Sequence, residues 1–229
     1  MCGRFVLSSP KEVIEEVFGV TGAGIMAARF NVAPTQAVPV VLEGPHGRVI
    51  RRMRWGLTPR WAKMKRGPRG GTQLASFINA RSETINTKPS FREAFAQRRC
   101  LMPANAFYEW QHTDSGKLPH AIGLPGSTPF AMAGIWEPWV SAEGELREGV
   151  CVVTTRANAE MRRLHERMPV LIHRDHHELW LRNDTPPALL RGLMEPIPEG
   201  ILRVYPVGDE VNRADAEGPS LLAPRSRSR

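Results

Sequence analysis

The sequence predicts one α+β domain whose core is a curved antiparallel or mixed β-sheet, or a barrel, with helices at its periphery. Many short strand patterns are interrupted by single helices, without the regular strand–helix alternation of a doubly wound fold. Neither an internal repeat nor a linker divides the 229 residues, whose 41% hydrophobic content is ample for a single buried core. We expect the domain to span residues 1–222, followed by a disordered basic Arg/Ser tail over residues 223–229.

The first half of the chain predicts a helix followed by a β-hairpin. Residues 9–12 are typical of a capping box with proline at the first helical position. The helix that they start would have an apolar face made of Val13, Ile14, Val17 and Phe18. Strands are expected at 37–42 and 49–55, with a turn between them. The basic segment 66–71 is rich in Gly and Pro, which predicts a mobile loop that could face a partner.

The second half predicts further strands and short helices. A second capping box, Ser90 with Glu93, starts a short helix that ends at Gln97. Asn158 is placed to cap a helix that Pro169 stops. This helix would carry Met161, Leu164, His165 and Met168. Further helices are expected near 176–182 and 187–194, and extended segments at 100–102, 106–110, 119–124, 130–136, 150–155 and 201–207.

Composition limits the classes of protein that the chain can belong to. Lys and Arg outnumber Asp and Glu by 31 to 23, and the net charge of +8 favours a polyanionic partner such as nucleic acid. The three widely spaced cysteines argue against a disulfide framework and a zinc cluster, so we expect a reducing, cytoplasmic environment. No apolar run is long enough for a membrane span, and the first residues do not resemble a signal peptide.

The second residue carries the most chemical information. Removal of Met1 would turn Cys2 into a new amino terminus, with an amine and a thiol on adjacent carbons whose ordinary pKa values are about 8. Such an aminothiol reacts with aldehydes: the amine condenses to an imine, and the thiol then closes on the imine carbon to give a thiazolidine ring. The alternative is that a cysteine at position 2 reflects only easy removal of the initiator methionine.

An amide and a guanidinium lie two residues apart at Asn79 and Arg81. In an extended segment both side chains would point to the same face, where Asn79 could position a substrate and Arg81 could hold a phosphate. The alternative is a turn stabilised by Asn79, with Arg81 and Glu83 as a surface ion pair.

Glu109 lies between aromatic residues in a predicted strand. Desolvation there would suit its carboxyl group to general acid/base work. The alternative places Glu109 on the polar face of an edge strand.

His165 lies at the predicted end of a helix, where it could donate or shuttle a proton. A packed structural histidine is the alternative. Three other histidines, His173, His176 and His177, lie close together. No cysteine or carboxylate stands at a recognised ligand spacing from them, so we expect no metal site.

Aromatic residues alternate with arginines along much of the chain, as a surface that stacks bases and holds phosphates would require. Most of these aromatics are expected to be core residues instead. The aromatic residues of this pattern are Trp55, Trp61, Phe77, Phe107, Trp110, Trp136 and Trp139, and its arginines are Arg51, Arg52, Arg54, Arg60 and Arg81.

Five dispersed motifs are spread over nearly the whole chain: CGRF from Cys2, RWGLTP from Arg54, NARSET from Asn79, FYEW from Phe107 and HERMP from His165. In order and spacing, these motifs together resemble the SOS response-associated peptidase family. One departure is Ala106, where the family commonly has glycine, so the local backbone geometry at this position is open.

This resemblance implies a protein that removes its own Met1 and captures abasic sites in single-stranded DNA through Cys2, without a cofactor. It implies that Asn79 orients the new terminus, that Glu109 shuttles protons during imine formation and reversal, and that His165 assists sugar ring opening. It further implies that flanking phosphates bind Arg4 and Arg81, and that bases are unstacked by Pro34 and Trp61.

Three rival functions remain open at this point. Glutamine amidotransferases also begin with Met-Cys-Gly and use the freed cysteine to hydrolyse an amide. A non-covalent single-strand binding module would bind DNA without using Cys2, and its affinity would fall with salt. A general protease is the third.

A stoichiometric trap has no need of a partner subunit, so we expect a monomer.

Overall fold

The computed structural model describes residues 2–22, 24, 26–62, 65–66, 72–73, 75–114, 116–141 and 144–225. The strands within these described residues are β1 Phe5–Leu7, β2 Arg29–Val32, β3 Ala37–Gly44, β4 Gly47–Trp55, β5 Lys65–Arg66, β6 Thr72–Gln73, β7 Asn79–Arg81, β8 Arg99–Ala104, β9 Ala106–Thr113, β10 Gly116–Gly123, β11 Phe130–Val140, β12 Leu146–Arg156, β13 Arg167–Pro169, β14 Leu171–Ile172 and β15 Arg203–Pro206. The α-helices among the described residues are α1 Lys11–Phe18, α2 Arg92–Gln97, α3 Ala159–Arg162, α4 His177–Leu181 and α5 Pro187–Leu193. The predicted fold class is confirmed.

Five of the strands close into a barrel. Strand β3 pairs with β4 and β8, β8 pairs with β11, and β11 pairs with β12. A parallel pairing of β12 with β4, through Val150 and Trp55, completes the circle. Closure removes the exposed edges that an open sheet would have.

A second sheet lies beside the barrel in the order β15-β10-β9-β1-β2. Its strand β1 begins at Phe5, three residues after Cys2, and its central strand β9 carries Glu109. On the barrel side, β12 extends beyond β4 and pairs in parallel with β7, which carries Asn79 and Arg81. The two sheets therefore bring the predicted site residues to the seam between them.

Both predicted helices form, but the two predicted capping boxes are wrong. Helix α1 begins at Lys11 with no side-chain cap, because the hydroxyl of Ser9 accepts a hydrogen bond from Asn105 at 2.7 Å. Helix α2 begins at Arg92, also without a side-chain cap, because the carboxylate of Glu93 binds Arg98 at 3.0 Å instead of the helix backbone.

The predicted helix around His165 is shorter than expected. Asn158 caps it as predicted, since its side chain accepts a hydrogen bond from the Met161 N–H. The helix ends at Arg162, and Met168 lies in β13, opposite Thr155 of β12. Backbone pairing with the barrel has replaced the last helical turns.

The predicted strands and the remaining helices are confirmed within a few residues. The loop predicted at 66–71 lies outside the described residues from 67 onward. In the tail, 226–229 also lie outside them, whereas the Arg225 N–H donates to Pro206 O at 2.9 Å. No helix in the described part of the chain is long and apolar enough to cross a membrane.

Candidate functional site

Cys2 lies at the seam, three residues before β1 begins, and is 0% exposed. The side-chain amide of Asn79 donates a hydrogen bond to the Cys2 carbonyl oxygen at 3.0 Å. This bond joins residues that are 77 positions apart in the sequence, so it depends on the meeting of the two sheets.

Burial and charge both act on the Cys2 thiol. Its pKa rises to about 12, first because burial desolvates the thiolate and second because of the negative charge of Glu109. The positive chain terminus and the Arg4 backbone N–H act in the opposite direction. Because the thiolate is the nucleophilic form, this environment disfavours the reactive state of the thiol.

Asn79 and Arg81 lie on one face of β7, as the two-residue spacing predicts. Ala80 between them is buried in the core, and the Arg81 side chain is exposed. The alternative pairing of Arg81 with Glu83 is not observed, since the Glu83 carboxylate binds Arg167 instead. The buried Oδ1 of Asn79 has no hydrogen-bond partner among the described residues.

Glu109 is 5% exposed and lies on a central strand, because β9 is flanked by β10 and β1. The alternative of an exposed edge position is therefore wrong. Its Oε1 accepts a hydrogen bond from the Trp110 backbone N–H at 3.3 Å. The carboxylate is close enough to the Cys2 thiol to raise its pKa.

His165 lies between α3 and β13 and is half-buried. Its Nδ1 accepts a hydrogen bond from the Arg167 backbone N–H at 2.9 Å, so the neutral ring carries its proton on Nε2. His165 lies three residues beyond the end of α3, and its backbone N–H donates to Met161 O of that helix at 3.0 Å.

Two clefts meet at His165. The first has a volume of about 470 Å³ and is lined by Glu109, Trp110, His112, Lys117, His165 and Asn212. The second has a volume of about 740 Å³, and its walls include Arg81, Arg156, Arg162, His165 and Arg167. A carboxylate and an imidazole thus face one cleft, and the adjoining cleft is basic because its four arginines outnumber its two carboxylates, Glu83 and Glu166.

The other predicted DNA-contact residues lie in different settings. The Arg4 guanidinium is half-buried and donates to Asn31 Oδ1 at 2.7 Å and to Val211 O at 2.9 Å. Trp61 is 58% exposed, and its indole N–H donates to Pro89 O at 3.3 Å. Pro34 is half-buried in the turn between β2 and β3.

Sequence reasoning missed two arginines that line the basic cleft. Arg156 ends β12, directly after the predicted strand, and Arg162 ends the helix that Asn158 caps. Both are exposed. Their positions at the ends of elements that lead toward His165 were the available signal.

Most of the aromatic residues are not part of an exposed platform. Trp55 and Phe107 are completely buried, as expected for core residues. The departure at Ala106 requires no unusual backbone, because Thr35 and Ser127 are the only described residues besides glycine with positive φ.

The three clustered histidines differ in their surroundings. His177 is buried against Phe18, and burial lowers its pKa to about 4, whereas His173 and His176 are exposed. Among the described residues, no group of three His, Cys, Asp or Glu side chains is arranged to hold a metal ion.

The fold and site define a single-domain α+β barrel protein in which a buried cysteine is bound by Asn79, whose strand also carries Arg81 of the basic cleft. A family model, SOS response associated peptidase (SRAP), matches residues 1–214. Abasic site processing protein YoqW of Bacillus subtilis is 35% identical, over 97% of this chain and 99% of the relative. The chain therefore belongs to the SRAP family.

More distant proteins also match. Abasic site processing protein HMCES of Gallus gallus is 29% identical, over 85% of this chain and 66% of that protein. The crystal structure of a protein from Bacteroides thetaiotaomicron superposes with a TM-score of 0.84 at 22% identity, over 98% of this chain and 100% of the other. This last likeness concerns the fold alone.

Proposed function

We propose that this protein traps abasic sites in single-stranded DNA as a covalent, reversible thiazolidine crosslink, after removal of Met1 has freed the Cys2 amine. The observation that carries the proposal is the meeting of Cys2 with Asn79 and Glu109 at the seam of the two sheets, beside a cleft that His165 also lines. The names of YoqW and HMCES as abasic site processing proteins support the same DNA lesion.

The proposed reaction balances without an oxidant or a cofactor. The Cys2 amine attacks the aldehyde carbon of the ring-opened abasic sugar, and loss of one water gives an imine. The thiol then adds across the C=N bond: sulfur bonds to carbon, and the nitrogen gains a proton. Because the same steps run backward when water is readmitted, the crosslink is reversible.

The surrounding side chains have separate tasks in this reaction. Asn79 holds the Cys2 carbonyl, which fixes the direction of the new terminus. Glu109 takes the proton from the amine and returns it to the departing water, as a general acid/base. The Nε2–H of His165 can donate to the sugar oxygen during ring opening.

Removal of Met1 is the step that makes the site competent. While Met1 is attached, the Cys2 nitrogen is an amide and cannot form an imine, and its thiol is held neutral. We propose that the protein cleaves this bond itself, and that each molecule then captures one lesion. A monomeric state and a cytoplasmic location stay predictions.

The basic cleft supplies the proposed contacts to the DNA backbone. Arg81 is exposed in its wall, together with Arg156 and Arg162. Arg4 has five N–H donors in principle, so its contacts to Asn31, Val211 and Asn212 leave donors for a phosphate. Trp61 and Pro34 are proposed to separate the bases beside the lesion.

A direct test compares two oligonucleotides that differ at one position. The protein is incubated with single-stranded DNA that carries one abasic site, and in parallel with the same strand carrying an intact base. The proposal predicts a heat-stable one-to-one complex with the first strand alone. Equal complexes with both strands, or none that survives denaturation, would contradict covalent capture.

The same preparation separates the rival functions. A glutamine amidotransferase would release ammonia from glutamine through Cys2 and form no DNA adduct. A non-covalent binding module would retain both strands in native electrophoresis and lose them on heating. A general protease would cleave added unfolded proteins.

A further inference from the structure

A buried carboxylate in the barrel wall contacts the segment that carries Trp61. Glu137, on β11, is 4% exposed. Its Oε2 accepts two hydrogen bonds from Arg98, one from Nε at 3.2 Å and one from Nη2 at 2.8 Å. Its second carboxylate oxygen, Oε1, lies 2.7 Å from Nε of Arg60.

The stability of the barrel does not account for this arrangement. Burying a carboxylate costs several kcal/mol of solvation free energy, and apolar side chains of similar volume are commonly as stable as a buried ion pair. The pair of Arg98 with Glu137 is already complete within the barrel wall. The third partner, Arg60, is 53% exposed and belongs to an irregular segment.

The Arg60 contact ties this segment to the barrel one residue before Trp61. A second carboxylate, Glu93 of α2, binds both Arg98 at 3.0 Å and Arg60 at 3.4 Å. On the other side, the Trp61 indole N–H is held by Pro89 O, and the Ala62 N–H donates to Pro59 O at 2.9 Å. The exposed indole ring is thus held from two directions.

An exposed aromatic ring binds an unpaired base more tightly when it does not have to be ordered first. We infer that Glu137 is a positioning residue: through Arg60 it holds Trp61 in the orientation in which the indole meets DNA. This inference rests on the proposed function for its DNA partner. Its structural half, the ordering of the Trp61 segment, does not depend on any DNA chemistry.

The structural half is tested by hydrogen exchange of the peptide covering residues 57–62, without DNA. Glu137→Gln keeps the side-chain shape and removes the charge that binds Arg60, and Arg60→Gln removes the other partner at an exposed position. The control is Glu148→Gln. Glu148 lies on β12, the strand beside β11, and its carboxylate pairs with Arg51. Faster exchange in the first two variants, and not in the control, is expected.

The DNA half is tested by affinity for an undamaged single strand, with and without Trp61. Glu137→Gln should weaken binding at least about threefold, and this loss should vanish in a Trp61→Ala background because the two residues act as a unit. Arg60→Gln also removes a positive charge, so its effect is compared with that of Arg92→Gln, an exposed arginine of α2. If Glu137→Gln impairs folding in a thermal melt, Arg60→Gln decides the test.

Two results would overturn the inference. Unchanged exchange at 57–62 in both Glu137→Gln and Arg60→Gln would show that the ion pair does not order the segment. An equal loss of affinity with and without Trp61 would show that Glu137 acts by another route. Failure of the wild-type protein to form a crosslink would refute the proposed function, while the exchange result would still stand for or against the positioning role.

Discussion

Cys2 and Cys151 are both completely buried, yet the groups around their thiols differ. Burial alone raises the pKa of Cys151, which lies in β12 inside the barrel. Around Cys2, the charge of Glu109, the chain terminus and the Arg4 backbone N–H act in addition to burial. Equal burial therefore gives an inert thiol in the barrel and one whose reactivity neighbouring groups can control at the seam.

The barrel interior and the seam also differ in how their other side chains are packed and paired. The barrel interior is closely packed: a Cβ added at Gly134 would lie 2.8 Å from the Cys100 sulfur. The seam instead holds polar side chains, including the Asn79 oxygen that lacks a described partner. A buried polar atom without a partner is costly, which is typical of a site prepared for a ligand.

The largest expected effect separates the two cysteines directly. Cys2→Ala should abolish the heat-stable crosslink, because both the aminothiol sulfur and the ring closure are lost. Cys151→Ala should leave the yield unchanged, since its thiol takes no part in the chemistry. Denaturing electrophoresis with abasic DNA measures both. A full yield from Cys2→Ala would show that the seam cysteine is no more reactive than the barrel cysteine.

Removing the charge that distinguishes the seam should have the next largest effect. Glu109→Gln is expected to slow crosslink formation by about 10² to 10⁴, the usual contribution of a general acid or base. Single-turnover kinetics at fixed DNA concentration measures the rate. The control is Glu178→Gln on the exposed side of α4. A rate for Glu109→Gln equal to that of the control would exclude proton transfer by Glu109.

The packing of the barrel can be tested without any DNA. A Cβ at Gly149 would lie 2.4 Å from Gly56 O, so Gly149→Ala should lower the free energy of unfolding by about 1–3 kcal/mol. At Gly192, in α5, a Cβ would meet nothing within 4 Å, and Gly192→Ala should stabilise by about 0.5–1 kcal/mol. Denaturant unfolding of both variants measures the difference. Equal stabilities would mean that the β4–β12 closure is loosely packed.

The smallest of these effects concerns the cleft beside the seam. Arg81→Ala should weaken non-covalent binding of single-stranded DNA about tenfold and reduce the slope of log affinity against log salt by about 0.7. A titration at several salt concentrations measures both quantities. Arg182→Ala, at an exposed arginine paired with Asp184, is the matched control. An unchanged salt slope would remove Arg81 from the DNA-binding surface.

The strands of the barrel were predictable because their apolar patterns are strong and local. Alternation along β7 also predicted correctly that Asn79 and Arg81 share a face, with Ala80 in the core. The helix caps were not predictable in the same way. Ser9 and Glu93 have side chains suited to capping, but tertiary partners, Asn105 and Arg98, bind them instead.

The site was predictable as a set of residues, through the resemblance of five motifs, but its geometry was not. Nothing local in the sequence indicates that β9 is a central strand, which decides that Glu109 is buried. The end of α3 at Arg162 depends on pairing of β13 with β12, a contact that no single segment specifies. Long-range pairing thus decided what the local patterns left open.

The most direct test of the central claim is the intact mass of the protein before and after incubation with single-stranded DNA carrying one abasic site, followed by peptide mapping. The account predicts a starting mass without Met1. The adduct should equal the sum of protein and DNA masses less one water, with the modification on Cys2. Retention of Met1 in a protein that still forms the adduct, or an adduct located on any other residue, would contradict it.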